Sequence, residues 1–168
     1  EALATLRPDI PVVSEEATAR HTPDHLGQRF FVVDPLDGTR EFIAGRDEFT
    51  VNIAFVDGGV PIVGVIAAPA RGLIWRGRVG RGAERLTLSA GAGKDAASDC
   101  TAIHTRKRPV QGPRVLMSRS HLDPATAAYV DRLPQPERIA CGSAMKFCLL
   151  AEGLADLFER VAAFAHGV

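Results

Sequence analysis

The chain has little that would tie it to an oxidising compartment, a membrane or a polyanion. Its 168 residues hold three cysteines, Cys100, Cys141 and Cys148, an odd number with no Cys-x-x-Cys spacing. That argues against a disulfide framework and a zinc knuckle and fits a reducing compartment. No apolar run is long enough to cross a bilayer, and no signal peptide is visible. The expectation is a cytoplasmic protein without a transmembrane segment, with peripheral association at an inner membrane left open. Net charge is missing too, since 20 Lys and Arg balance 20 Asp and Glu. A neutral chain gives no reason to expect nucleic acid or an acidic membrane as partner, so any attraction for an anion must come from local clustering. There is no initiating methionine. The chain opens on Glu1, and Glu1 to Leu6 reads as the tail of a helix stopped by Pro8, which predicts a natural segment before it.

What is present suffices for a core. The hydrophobic fraction is 46%, which argues against wholesale disorder, and the length fits one domain or a large piece of one. Short strands are predicted over Ile10–Ser14, Phe49–Val56, Val60–Pro69 and Leu73–Val79, the last three joined by Asp57-Gly58-Gly59 and Arg71-Gly72 into an antiparallel meander. Leu88–Ser98, rich in Gly, Ala and Ser, reads as a surface loop. Further on, strands are predicted at Arg114–Ser118, Glu137–Cys141 and Ala155–Phe158, and helices at Pro124–Leu133 and Ala144–Glu152. His21 and His25 are four apart, but Pro23 between them favours a solvated loop over a metal pair. Arg106-Lys107-Arg108 reads as a solvated basic turn.

One stretch organises the rest. Phe30-Phe31-Val32-Val33 reads as a buried strand, and it runs into Asp34-Pro35-Leu36-Asp37-Gly38-Thr39, turn chemistry that carries two carboxylates. Ile10–Ser14 likewise runs into Glu15-Glu16. If those strands are neighbours, Glu15, Asp34 and Asp37 converge at one sheet edge. Their mutual repulsion calls for a hard divalent cation, magnesium or manganese, with the Leu36 carbonyl as a further oxygen ligand. Gly38 lets the backbone approach a phosphate, and the Thr39 hydroxyl can orient a water. The reading is a magnesium site that hydrolyses phosphate esters through a metal-activated water. On composition alone such a turn is more often a plain loop. An EF-hand is disfavoured by the absence of alternate-position acids, and an aspartyl-phosphatase motif by the two residues between Asp34 and Asp37.

Taken together, DPLDGTREF at Asp34–Phe42, EFTVNIA at Glu48–Ala54, SRSH at Ser118–His121 and GSAMKFCLLAEG at Gly142–Gly153 resemble the inositol monophosphatase superfamily, within it the 3'(2'),5'-bisphosphate nucleotidases of the CysQ type. The resemblance runs from Leu3 to Arg160. It implies an α/β, sugar-phosphatase-like αβαβα sandwich with a mainly antiparallel N-terminal sheet, incomplete at both ends. Residues up to about 105 would form the metal-binding sheet, and residues from about 110 an incomplete C-terminal α/β part. It implies two or three magnesium ions, with manganese as substitute. They would be held by Glu15, Asp34, the Leu36 carbonyl and Asp37. Glu15, Asp37 and Thr39 would be catalytic, with Thr39 orienting the attacking water. Gly38 and Thr39 would contact the scissile phosphate, and Ser118, His121, Gly142 and Lys146, together with Arg160, would hold the nucleotide and its second phosphate.

The implied activity is that of a lithium-sensitive phosphoric monoester hydrolase of sulfur assimilation, converting 3'-phosphoadenosine 5'-phosphate, a small nucleotide, to AMP and phosphate. The alternatives are a phosphatase for inositol monophosphate or a sugar bisphosphate, and a non-catalytic metal- or nucleotide-binding remnant. The last is motivated by a departure. The superfamily's Trp-Asp-x-Ala-Ala-Gly motif is missing where Val161–Val168 reads VAAFAHGV, and Trp75 lies in no such motif. The chain therefore reads as a fragment or a product with an altered C-terminus, expected to be weakly active or inactive for want of a further metal ligand.

Overall fold

A computed structural model describes residues 2–14, 27–88, 97–107, 109–119 and 124–158. Ten strands and four α-helices lie within them: α1 (Ala2–Leu6), β1 (Val12–Ser14), β2 (Arg29–Asp37), α2 (Thr39–Ile43), β3 (Thr50–Asp57), β4 (Val60–Ala68), β5 (Leu73–Arg78), β6 (Gly82–Thr87), β7 (Ser98–Ile103), β8 (Arg114–Ser118), α3 (Pro124–Val130), β9 (Glu137–Cys141), α4 (Met145–Ala151) and β10 (Leu157–Phe158). They build two sheets. The larger has seven strands in plain sequence order, β1 to β7, and the smaller has the order β10-β8-β9. All pairs from β2 to β7 are antiparallel, while β1 lies parallel to β2 and the small sheet is parallel throughout.

The meander follows from its turns. Gly58 and Gly59 both take positive φ, as the two-residue loop between β3 and β4 requires. The order then follows because each strand of the meander pairs with its successor. Two strands go beyond the sequence reading. β6 and β7 extend the meander into residues for which no strand is predicted, with residues 89–96 outside the described set. β7 (SDCTAI) is almost wholly exposed at the sheet edge, so no apolar alternation marks it.

α4 lies between the sheets. Ala68 and Trp75 of the large sheet, Leu116 and Cys141 of the small one, and Met145 and Cys148 of α4 form one buried cluster with Ala155. Val115 and Met117, alternate residues on β8, face the other way and pack with Val130 of α3. β8 is thus apolar on both faces, as a parallel strand covered on both sides must be. Glu152, just past α4, accepts the Trp75 indole N–H at 2.6 Å and an Arg85 N–H at 3.0 Å, fastening the helix to the large sheet. Below the small sheet Asp156 is fully shielded and accepts two bonds from Arg106 and one from the Arg114 N–H. Arg106 is therefore solvent-exposed, as expected, and paired at the same time. This mixed α/β sandwich with a mainly antiparallel large sheet is the expected architecture.

Candidate active site

The predicted acids sit inside β2 rather than after it. The strand continues to Asp37, but pairing with β3 is broken between Asp34, opposite Asn52, and Asp37, opposite Thr50. The bulge takes Pro35 and Leu36 out of the ladder, which is where a proline without an N–H is tolerated in a sheet. Nor is the strand buried: Phe30 to Val33 are half-buried or exposed, with Val32 at 41%. Phe31 rests on Phe55 with ring centroids 5.4 Å apart.

Within the bulge Asp34 Oδ1 accepts the Leu36 N–H at 3.1 Å, and the exposed Thr39 hydroxyl donates to the Leu36 carbonyl at 3.2 Å. Gly38 turns the chain into α2 with φ 87°, a left-handed conformation that favours glycine. A Cβ there would also come within 3.0 Å of the Glu48 carbonyl and the Ser143 side chain. Asp37 Oδ2 accepts the Ala144 N–H at 2.5 Å and a longer bond, 3.5 Å, from Asn52 Nδ2. The turn is thereby docked on the chain that leads into α4.

The other predicted residues come in from the small sheet. Ser118 ends β8 and stands opposite Cys141 of β9. Gly142 follows directly, and its N–H is committed to Glu48 Oε2 at 2.9 Å. Lys146 on α4 reaches back to the Cys141 carbonyl at 3.5 Å, and its ammonium lies 5.4 Å from the centre of the Phe158 ring. The structure therefore gathers Asp34, Leu36, Asp37, Gly38 and Thr39 in one turn, with Gly142 and Lys146 beside its docking point. Glu15, His121 and Arg160 lie outside the described residues. β1 pairs with β2 so that Ser14 stands opposite Val33, one residue before Asp34.

The donor set suits a hard cation. It is all oxygen: two carboxylates and a carbonyl within one bulge. One oxygen of each carboxylate is fixed by a backbone N–H, and among the described residues Asp34 Oδ2 and Asp37 Oδ1 accept no hydrogen bond. Asn52 Oδ1 and Thr50 Oγ1, on the strand facing the bulge, are buried without a partner among the described residues. Those residues contain no group of three or more acidic, His or Cys side chains able to hold a metal between them, so the described set supplies part of a site. Between the large sheet and α4 lies a cavity of about 470 Å³, bordered at one end by Asp34, Asn52 and Ala144 and walled by apolar residues such as Ile66, Trp75 and Phe147. Its apolar wall disfavours a phosphate there.

Sequence reasoning gave no role to Glu41, Glu48, Asn52, Arg119 or Ala144. Glu41 and Glu48 are buried at 5% and 9% exposure, and both are spent on cross-sheet contacts. Glu48, Asn52 and Arg119 all fall within the EFTVNIA and SRSH runs, which was the available signal. Burial pushes the Cys141 and Cys148 thiols up to about 11 and about 12, leaving them protonated at neutral pH.

The match to known proteins covers this whole arrangement. The model of the inositol monophosphatase family matches residues 1–164. The chain belongs to the inositol monophosphatase family. It is 40% identical over 161 residues to the 3'(2'),5'-bisphosphate nucleotidase CysQ of Escherichia coli K12, covering 95% of this chain and 60% of that protein. It is 29% identical over 157 residues to a histidinol-phosphatase of Mycobacterium tuberculosis, covering 94% of this chain and 58% of that one. Among solved structures, CysQ from Bacteroides thetaiotaomicron, a member of the same family, superposes with a TM-score of 0.76 at 32% identity over 95% of this chain and 63% of that one. An IMPase of Thermotoga maritima shares the fold with a TM-score of 0.71 at 22% identity, over 94% of this chain and 56% of that one. The chain thus spans about 60% of the length of the curated relatives it matches.

Proposed function

We propose that this chain belongs to a magnesium-dependent phosphatase that removes the 3'-phosphate of 3'-phosphoadenosine 5'-phosphate, giving AMP and phosphate. The observation that carries the reading is the 40% identity to CysQ across 95% of the chain, with the Asp34–Thr39 bulge inside the matched region. Asp34, Asp37 and the Leu36 carbonyl, together with Glu15, are the residues that would hold magnesium. When bound, the ion offsets negative charge on the transferring phosphoryl group and makes water a better nucleophile near neutral pH. The chain's own residues do the rest. The Thr39 hydroxyl, exposed beside the bulge, orients the attacking water. Gly38 lets backbone N–H groups close on the scissile phosphate. Ser118, His121, Gly142 and Lys146 hold the nucleotide and its second phosphate. Because the Gly142 N–H is held by Glu48, its contribution is close approach of the backbone rather than a free donor.

A second reading, hydrolysis of another small phosphate monoester such as inositol monophosphate, is favoured by the 29% identity to a histidinol-phosphatase. Both readings share the bulge and differ in what the ends of β8 and β9 hold. Phosphate release from 3'-phosphoadenosine 5'-phosphate and from inositol monophosphate, each with magnesium, separates them. Release from the nucleotide should dominate and fall at least about a hundredfold in Asp37→Asn. Equal release by Asp37→Asn and the unaltered protein would remove Asp37 from the chemistry, and dominance of the inositol ester would favour the second reading.

A further inference from the structure

Three acids, one in the bulge and two in the segment after it, reach across to the small sheet. Asp37 takes the Ala144 N–H, Glu41 packs on Gly142, and Glu48 takes the Gly142 N–H together with the fork of Arg119. Glu48 joins the most elements. Its Oε1 accepts Arg119 Nη2 at 2.8 Å, and its Oε2 accepts both Arg119 Nε at 3.2 Å and Gly142 N at 2.9 Å. Arg119 Nη2 also donates to the Ala140 carbonyl of β9 at 3.1 Å. The Glu48 side chain is only 12% exposed, and these donors offset its desolvation. The main chain of Glu48 meanwhile abuts Gly38, its carbonyl lying 3.0 Å from where a Cβ on Gly38 would stand. A single residue therefore touches the turn at one end and the tips of β8 and β9 at the other.

We infer that the Glu48–Arg119 pair is a positioning device that sets substrate choice, fixing the spacing between the Asp34–Thr39 turn and the ends of β8 and β9. The inference rests on the function proposed above. A substrate with two phosphates must be gripped at both places at once, whereas a small monophosphate ester needs only the turn. Misplacing one grip by an ångström is enough to cost a large part of the binding advantage. Arg119 is not itself the anion receptor in this account, because its fork is already neutralised by Glu48 and tied to β9.

The test compares KM and kcat of the full chain for 3'-phosphoadenosine 5'-phosphate and for p-nitrophenyl phosphate, in the unaltered protein, Glu48→Gln and Arg119→Lys. Either substitution should raise KM for the bisphosphate by about tenfold or more, leave its kcat within about threefold, and leave both constants for the ester unchanged. The double variant should be no worse than the worse single one, since both remove the same link. A lower KM for the bisphosphate in Glu48→Gln would overturn the inference, because it would show that a released Arg119 binds phosphate directly. Equal losses on both substrates would overturn it too, by showing a general structural role. Should the single variants melt below the assay temperature, Glu48→Met/Arg119→Met removes both charges together, which well-packed sites tolerate. It should show the same selective KM defect, and a wild-type KM in it would sink the idea. If the unaltered protein fails to favour the bisphosphate over the ester, the proposed function fails and this inference falls with it. If it does favour the bisphosphate and no variant changes that, only the positioning role is lost.

Discussion

Replacing Gly142 with alanine probes the joint between the two sheets at its tightest point. A Cβ on Gly142 would stand 2.7 Å from Glu41 Cγ and 2.9 Å from its Cδ, distances no real methyl group tolerates. Glu41 is 5% exposed, so it has little room to swing away. The φ of Gly142 is not among the positive values, so the penalty is steric and does not arise from backbone strain. Overpacking at a closed site costs about 1–3 kcal/mol, and at this chain length each kcal/mol moves the melting temperature by about 2–4 °C. Gly142→Ala should therefore lower the midpoint by about 2–12 °C in a calorimetric or circular-dichroism melt. Gly64→Ala, where a Cβ meets nothing within 4 Å, should be neutral or slightly stabilising and serves as the control. The decisive comparison is made in a Glu41→Ala background, which removes the obstructing atoms. There the Gly142→Ala penalty should shrink to less than about 0.5 kcal/mol, the level at which independent effects merely add. An unchanged penalty in that background, or none in the parent, would refute the idea that Gly142 is small because Glu41 passes beside it.

Two other outcomes follow from the packing. Alkylation under native conditions should label Cys100 alone, because it is exposed whereas Cys141 and Cys148 are buried; mass spectrometry after a timed quench reads this, and rapid labelling of either buried thiol would contradict the core as described. Asp156 is held below the usual carboxylate range by its hydrogen bonds from Arg106, so its stabilising contribution is complete above the ordinary carboxylate pKa and fades as pH falls through the depressed folded value. Asp156→Asn should cost about 1–3 kcal/mol at pH 7 in urea melts and progressively less towards strongly acidic pH, and a penalty that stays constant with pH would refute the assignment.

The local grammar was readable where residues announce turns. Asp57-Gly58-Gly59 and Arg71-Gly72 gave the meander, and Asp34-Pro-Leu-Asp-Gly-Thr gave the site's turn. β7 escaped because an exposed edge strand such as Ser98–Ile103 carries no apolar alternation, and β6 because GAERLT sets few apolar residues among charged ones. The bulge escaped because pairing partners decide where a strand ends: Asp37 belongs to β2 only through Thr50 on β3. The cross-sheet acids were the least visible. Glu41 and Glu48 have the composition of surface residues, and their burial is dictated by Gly142 and Arg119, distant in the chain. Arg106 is exposed and has the composition of a surface residue, but its pairing with Asp156, 50 residues further on, has no local signal.

The two sheets differ in how far their contacts reach along the chain, and this has a consequence for assembly. From β2 to β7 each strand pairs with the next one in sequence, so the large sheet can zip up locally at small loop-closure cost. The bonds that complete the candidate site are of another kind. Asp37 to Ala144 spans 107 residues, Glu48 to Gly142 spans 94, and Glu48 to Arg119 spans 71. The bulge can thus be formed while its partners are still unplaced, and opening between the two sheets breaks these bonds without disturbing the meander. A form with its strands intact and the seam at the candidate site open would retain its far-UV signal, and any activity of the proposed kind would be lost on gentle warming before that signal falls.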